Sequence, residues 1–245
     1  RKVGARVVAT IAAPLIGVIV LAAAEILGAL QTAREMSHVA ELAAVAPKVG
    51  AVVTELQAER GQTAAFVNSY GQAFADVLPG QRTNTDAAAA ALSETLDALS
   101  LQGEANRLGD AVEAAQANLA TLEETRVKID NFELAAPEIV AYYSDVVESL
   151  FRIANGMLSA STDDAISKEI GAYLALMRAK DPAGLERAAG AVGFASNAFS
   201  HDAIAHLVSL DAAQQTGFKT FALYATPSEM AALGEVLEAP VVRKI

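Results

Sequence analysis

Nowhere in this 245-residue chain does strand length coincide with strict polar–apolar alternation and β-branched enrichment. Apolar residues recur three and four apart instead, the spacing that lines one face of an α-helix. Val49, Val52, Val53, Leu56, Ala64 and Val67 form one such stripe. Alanine fills much of the remainder, and only 5% of the residues are aromatic. Alanine has the highest helix propensity and gives a strand little to pack with, so closely packed helices follow.

Turn and breaker residues divide the pattern. Residues 71–80 read as a loop ending in Pro79-Gly80, with the next helix starting near Thr85 and Asp86 and running to Leu99. Gly103 breaks the chain before a long helix over 104–133, whose expected inner stripe is Leu108, Val112, Ala115, Leu119, Leu122 and Val127. Pro137 suits the start of a helix to residue 160. Ser161, Thr162 and Asp163 cap a stretch over 164–199, which Pro182 is expected to bend or split near Lys180 and Asp181. Residues 201–225 form another helix, and Pro227 opens the last, to about Leu237. Short connections make successive helices antiparallel neighbours. The expectation is an all-α fold of two up-down four-helix bundles, 31–135 and 136–245, preceded by an N-terminal transmembrane helix; one long bundle with an appended second is the alternative arrangement.

That first segment rests on an uncharged run from Val7 to Ala24, flanked by Arg1, Lys2 and Arg6 before it and Glu25 after it. As a helix it would be roughly 27 Å long, close to a bilayer core. The basic residues place the N-terminus in the cytoplasm. Residues 1–30 are thus expected to be a membrane anchor, with the following region extracytoplasmic (periplasmic) at the inner membrane. A signal peptide cleaved near Ala22–Ala24 and a buried helix are the alternatives.

Composition narrows the chemistry. No cysteine means no disulfide, thiolate metal site or cysteine nucleophile. Of three histidines, His201 and His206 are five apart and do not share a helix face. No nucleophile elbow or phosphate loop is present. Neither an enzyme nor a metal or cofactor is expected. A net charge of −11 without a basic stripe argues against a nucleic-acid partner.

Two segments place Glu-Arg among small residues on a helix: Glu59-Arg60-Gly61 and Glu186-Arg187-Ala188. Small neighbours let helices approach closely, and a guanidinium held between them needs an anionic partner. Adjacent residues point about 100° apart on a helix, so the neighbouring glutamate is not an automatic partner. Carboxylates of other helices, or a bound anion, are the two possibilities. Thr63, one turn after Arg60, adds a hydroxyl, and Arg82 is a weaker candidate. Glu55 and Glu59 share a face and read as solvated; Tyr142 and Tyr143 read as core or bundle-edge aromatics.

The string LQAERGQTAAFVNSYG at 56–71 resembles the signature of the nitrate- and nitrite-sensing (NIT) domain family. QRTNTD at 81–86, AYLALMRAKDPAGLERAAGAVGFASNAF at 172–199 and LVSLDAAQQTGFKTFALYA at 207–225 resemble further blocks in the same order. Asp181-Pro182 departs from the pattern, which carries Glu and a helix former there. The resemblance implies a helical sensor of two bundles between membrane helices. It also implies nitrate or nitrite as ligand, bound by the motif arginines that Arg60 and Arg187 match. Arg82, in the Gln-Arg step, is open between ligand and structural roles.

A planar guanidinium suits a planar oxyanion, meeting two of its oxygens at once. The expected protein is therefore the sensor region of a transmembrane receptor, dimeric and most simply a methyl-accepting chemotaxis receptor. A histidine-kinase sensor with the same ligand, or a helical adaptor that binds a protein partner, is the alternative.

Overall fold

The computed structural model of the chain describes residues 41–99, 107–160, 163–196 and 198–239, together with Glu25 and Leu27. The chain divides into two compact units, Arg1–Glu41 and Leu42–Ile245. The apolar run Val7–Ala24 lies outside the described residues. Among those that are described, no helix is long and apolar enough to cross a membrane.

All regular structure among the described residues is helical. Helix α1 covers 41–68 without interruption at Pro47. It is followed by α2 (Leu78–Asp97), α3 (Arg107–Ala120), α4 (Leu122–Asp130), α5 (Ala136–Ala160), α6 (Asp164–Ser196), α7 (His201–Tyr224) and α8 (Pro227–Glu238). The all-α expectation is met. Three boundaries differ from it. Helix α2 starts seven residues before Thr85, because Pro79 sits in its first turn, where a missing N–H costs nothing. The expected 104–133 helix is interrupted at Thr121, whose hydroxyl donates to the Asn118 carbonyl. Helix α6 runs through Pro182 rather than splitting there.

The larger core is built on heptad stripes. On α1, Leu42, Val45, Val49, Val52 and Leu56 are essentially inaccessible to solvent. They pack with Leu92 and Leu96 of α2, Leu108 and Val112 of α3, Ile129 of α4, Ile139 to Met157 of α5, and Ile170, Leu174 and Met177 of α6. A smaller cluster joins Ala172 and Ala175 of α6 to Phe221 of α7, with Leu233 of α8 against it. Helix α7 runs antiparallel along α6. Gly217 sits over Ala179, and Gly171 faces the Tyr224 ring, so each glycine permits contact that a Cβ would obstruct. Helix α8 starts with a capping box: Thr226 accepts from the Glu229 amide, and the Glu229 carboxylate accepts from the Thr226 amide.

Candidate functional site

The α1 stripe changes character after Leu56. The next inward positions are Glu59, Arg60 and Thr63, at 0%, 3% and 0% exposure. A helix serving only as scaffold would place leucine or alanine there, because buried charge is costly unless paired. Two polar clusters grow from these residues.

The first centres on Glu59. Arg126 of α4 donates Nε to Glu59 Oε1 at 2.8 Å and Nη2 to Oε2 at 2.9 Å. Tyr143 of α5 donates its hydroxyl to Oε1 at 2.7 Å. Arg126 Nη1 also reaches Asp86 of α2 at 2.7 Å. Burial alone would push the Glu59 carboxyl up, but the hydrogen bonds and charge of Arg126, with help from Thr85 and Tyr143, outweigh it and hold it below the usual carboxylate range. Burial beside that carboxylate pushes the Tyr143 phenol well up. Arg82 borders this cluster. Its fork grips both oxygens of Asp130, at 2.8 and 2.7 Å, while its buried Nε lies 4.0 Å from Glu59 Oε1 without a hydrogen bond.

The second cluster surrounds Arg60, which points away from Glu59. Arg60 Nη1 donates to Ser144 Oγ of α5 at 2.9 Å, and Nη2 donates to Asp181 Oδ1 of α6 at 2.8 Å. The same Asp181 oxygen accepts from Gln57 Nε2 at 2.9 Å. Beside it, Lys180 donates to Thr54 Oγ1 at 3.0 Å, and burial depresses its ammonium. One turn after Asp181, Gly184 faces the guanidinium: a Cβ built there would lie 4.0 Å from Arg60 Nη2. Another turn on is Arg187, exposed and without an ion pair or hydrogen bond among the described residues. Thr63 is buried near the Tyr143 phenol, and its hydroxyl makes no hydrogen bond of good geometry.

The four expected site residues therefore have different surroundings. Arg60 is buried and paired with Asp181, Arg82 is paired with Asp130, Thr63 is buried, and Arg187 is open to solvent. Arg60 is brought beside Gly184 of α6, one turn before Arg187, while Arg82 belongs to the Glu59 cluster. The reading of Glu59 as solvated is corrected, since it is fully buried. Tyr143 is core, yet it also carries a specific hydrogen bond.

Arg126, Asp86, Asp130, Ser144 and the structural role of Asp181 were not anticipated. A signal existed for Arg126. The spacing 108, 112, 115, 119, 122 continues to 126 and 129, and both are buried, whereas Val127 is 52% exposed. Along this helix the period, not the hydrophobicity of the residue, identifies the inward position. None of these residues lines the apolar cleft of about 530 Å³ between α1, α6, α7 and α8.

The NIT family, described as nitrate and nitrite sensing, matches residues 51–245. The "Nitrate regulatory protein" of Klebsiella oxytoca is 28% identical over 210 residues, covering 84% of this chain and 52% of that protein. The structure of the NasR transcription antiterminator aligns over 88% of this chain and 60% of that one, with a TM-score of 0.79 and 26% identity. The chain thus spans about half the length of the curated relative it matches.

These relatives overturn several expectations. They are a nitrate regulatory protein and a transcription antiterminator, not a methyl-accepting chemotaxis receptor, a histidine-kinase sensor or an adaptor bundle. The expected membrane-anchored partner set and inner-membrane, periplasmic location fall with the receptor reading, and no described helix is long and apolar enough to cross a membrane. The expectation that nucleic acid plays no part conflicts with likeness to a transcription antiterminator. Net charge bears on non-specific attraction between this chain and a polyanion and carries no information on a role in transcription. With the signature blocks, the buried Glu-Arg pair of α1 and the fold in agreement, the chain belongs to the nitrate and nitrite sensing (NIT) family.

Proposed function

We propose that this chain senses nitrate or nitrite for a regulatory protein of the kind its relatives' names describe, and that Arg60 is the primary anion contact. One observation carries the reading. Arg82 and Arg126 each have two nitrogens on the two oxygens of one carboxylate, whereas buried Arg60 meets its carboxylate through Nη2 alone. Of these three arginines, Arg60 alone has a fork not closed by a bidentate carboxylate among the described residues. Gly184 leaves space beside that nitrogen, and Arg187, unpaired among the described residues, follows one turn later on the same helix.

Nitrate and nitrite are small oxyanions whose oxygens lie in one plane, so they can share the plane of the guanidinium. Arg187 supplies a second positive charge from α6, and Thr63 a hydroxyl within a turn of Arg60. Arg82, with its fork on Asp130, contributes by holding the Glu59 cluster behind the site. Binding is expected to be modest, because the anion enters against a net charge of −11 and an existing ion pair. The signal would be a population shift between two settings of α1 against α6, limited by the anion's differential affinity for them. The finer architecture belongs to the same proposal: two up-down four-helix bundles, with α6 contributing to both apolar clusters.

Calorimetric titration of the folded chain with nitrate, nitrite, chloride and sulfate tests the reading. Nitrate or nitrite should bind and sulfate should not. Equal heats for the wild type and an Arg60→Gln, Arg187→Gln double variant, both folded by circular dichroism, would end it.

A further inference from the structure

The carboxylate on Arg60 has the chemistry of the proposed ligand. A carboxylate, like nitrite or one edge of nitrate, presents two coplanar oxygens sharing a negative charge. Asp181 brings such a group to the guanidinium from α6, with Oδ1 held at 2.8 Å by Arg60 Nη2 and at 2.9 Å by Gln57 Nε2. Arg60 is 3% exposed, and its other hydrogen bond is to the uncharged Ser144 hydroxyl. Asp181 therefore supplies the compensating charge, and a buried cation that loses its partner is strongly destabilised. The Asp181 side chain is 19% exposed, so it has solvent to retreat into.

The backbone beneath it permits that retreat. Pro182 follows directly and has no amide proton, so the helical hydrogen bond to the Arg178 carbonyl is missing at this turn of α6. Helices bend at such positions.

We propose that Asp181 is a tethered competitor: it occupies Arg60 in the absence of ligand, and a planar oxyanion binds by displacing it. The inference rests on the assignment of Arg60 as the anion contact and adds what sets the affinity there. The ion pair links α1 to α6, so exchanging a tethered anion for a free one cuts that link. Charge at Arg60 stays compensated throughout, while the ion-pair link is lost and the Lys180–Thr54 hydrogen bond between the helices remains. The ligand's affinity is its own attraction to Arg60 less that of the aspartate it replaces.

The test uses Asp181→Asn in the whole chain, titrated with nitrate and, separately, with formate, the free counterpart of the tethered group. Asparagine keeps the size and an acceptor oxygen for Gln57 and removes the charge. Nitrate should bind at least tenfold tighter than to the wild type, and formate should bind the variant but not the wild type. A gain of affinity is not what structural damage produces. If nitrate binds the wild type through Arg60 but neither anion gains in the variant, the competitor is refuted and the sensor reading stands. If formate gains while nitrate binds neither protein, the competitor stands and the nitrate reading falls. No gain by either anion, in this variant or in Asp181→Ala should the first not fold, overturns the proposal.

Discussion

Glu59 of α1 and Arg126 of α4, 67 residues apart in sequence, meet through two parallel hydrogen bonds in the interior, with 0% and 5% of their side chains exposed. The pair ties the first and fourth helices together where their stripes call for apolar residues. Removing one member strands the other. Arg126→Met should cost about 3–5 kcal/mol, because Glu59 is left charged and buried. That is a large share of a typical domain stability of about 5–15 kcal/mol. Replacing both, as Glu59→Leu with Arg126→Met, should cost less than either single change. Urea unfolding of the three variants gives the coupling directly, and additive costs would show that the two side chains do not depend on each other.

The same pair should contribute to the acid limb of stability. The folded-state value of Glu59 lies below its ordinary 4.5. The unfolded chain therefore takes up a proton before the folded one does. The contribution is fully present above about pH 5, declines as pH falls through 4.5, and is gone below the folded value. The thermal midpoint should drop over this acid range, with a shallower slope in Glu59→Gln once its lower baseline is allowed for. Identical slopes in the two proteins would assign the acid limb to other carboxylates.

What could be read from the sequence follows from what period and breakers encode. Helix existence, the Pro227 start of α8 and the Glu-Arg positions are local features, so they were legible. Pro79 misled because a proline ends a loop and opens a helix with the same geometry. The partners of the arginines were not legible. Asp181 lies 121 residues from Arg60, and Asp130 lies 48 from Arg82. Only the packing of α1 against α6, and of α2 against α4, selects them from 29 acidic residues. Glu59 was within reach: it falls three residues after Leu56, where the inward stripe must continue, and a charge at such a position is a signal in itself.

The α6–α7 pairing depends on close backbone approach. A Cβ on Gly217 would fall 2.7–2.8 Å from the Cβ, Cα and N of Ala179, atoms that cannot rotate aside. Gly217→Ala should force the helices apart and destabilise the protein by about 1–3 kcal/mol, the usual cost of overpacking. Gly234→Ala is the control. It lies in α8, where an added Cβ would meet nothing within 4 Å beyond its chain neighbours and its own helix backbone, and should be neutral or slightly stabilising through helix propensity. Thermal melts of the two variants separate these outcomes, and equal stability would mean that the α6–α7 spacing gives way at no cost.

Arg60→Lys distinguishes charge from shape at the proposed site. Lysine keeps the positive charge, so the ion pair with Asp181 can persist, but its ammonium is a point donor without the planar fork. Arg60 also spans two elements at once, with Nη1 on Ser144 of α5 and Nη2 on Asp181 of α6. A single ammonium nitrogen cannot reproduce that spread geometry. If recognition were electrostatic attraction alone, Arg60→Lys would bind nitrate nearly as well as the wild type. If coplanar pairing with two oxygens is required, affinity should fall roughly 10–100-fold, the loss of about one good charge-assisted hydrogen bond. Ser144→Ala separates the positional part: it frees Nη1 without touching the charge, and should weaken nitrate binding less than the lysine does. Titration of both variants, with circular dichroism to verify folding, decides the matter, and wild-type affinity in Arg60→Lys would show that charge at this position suffices.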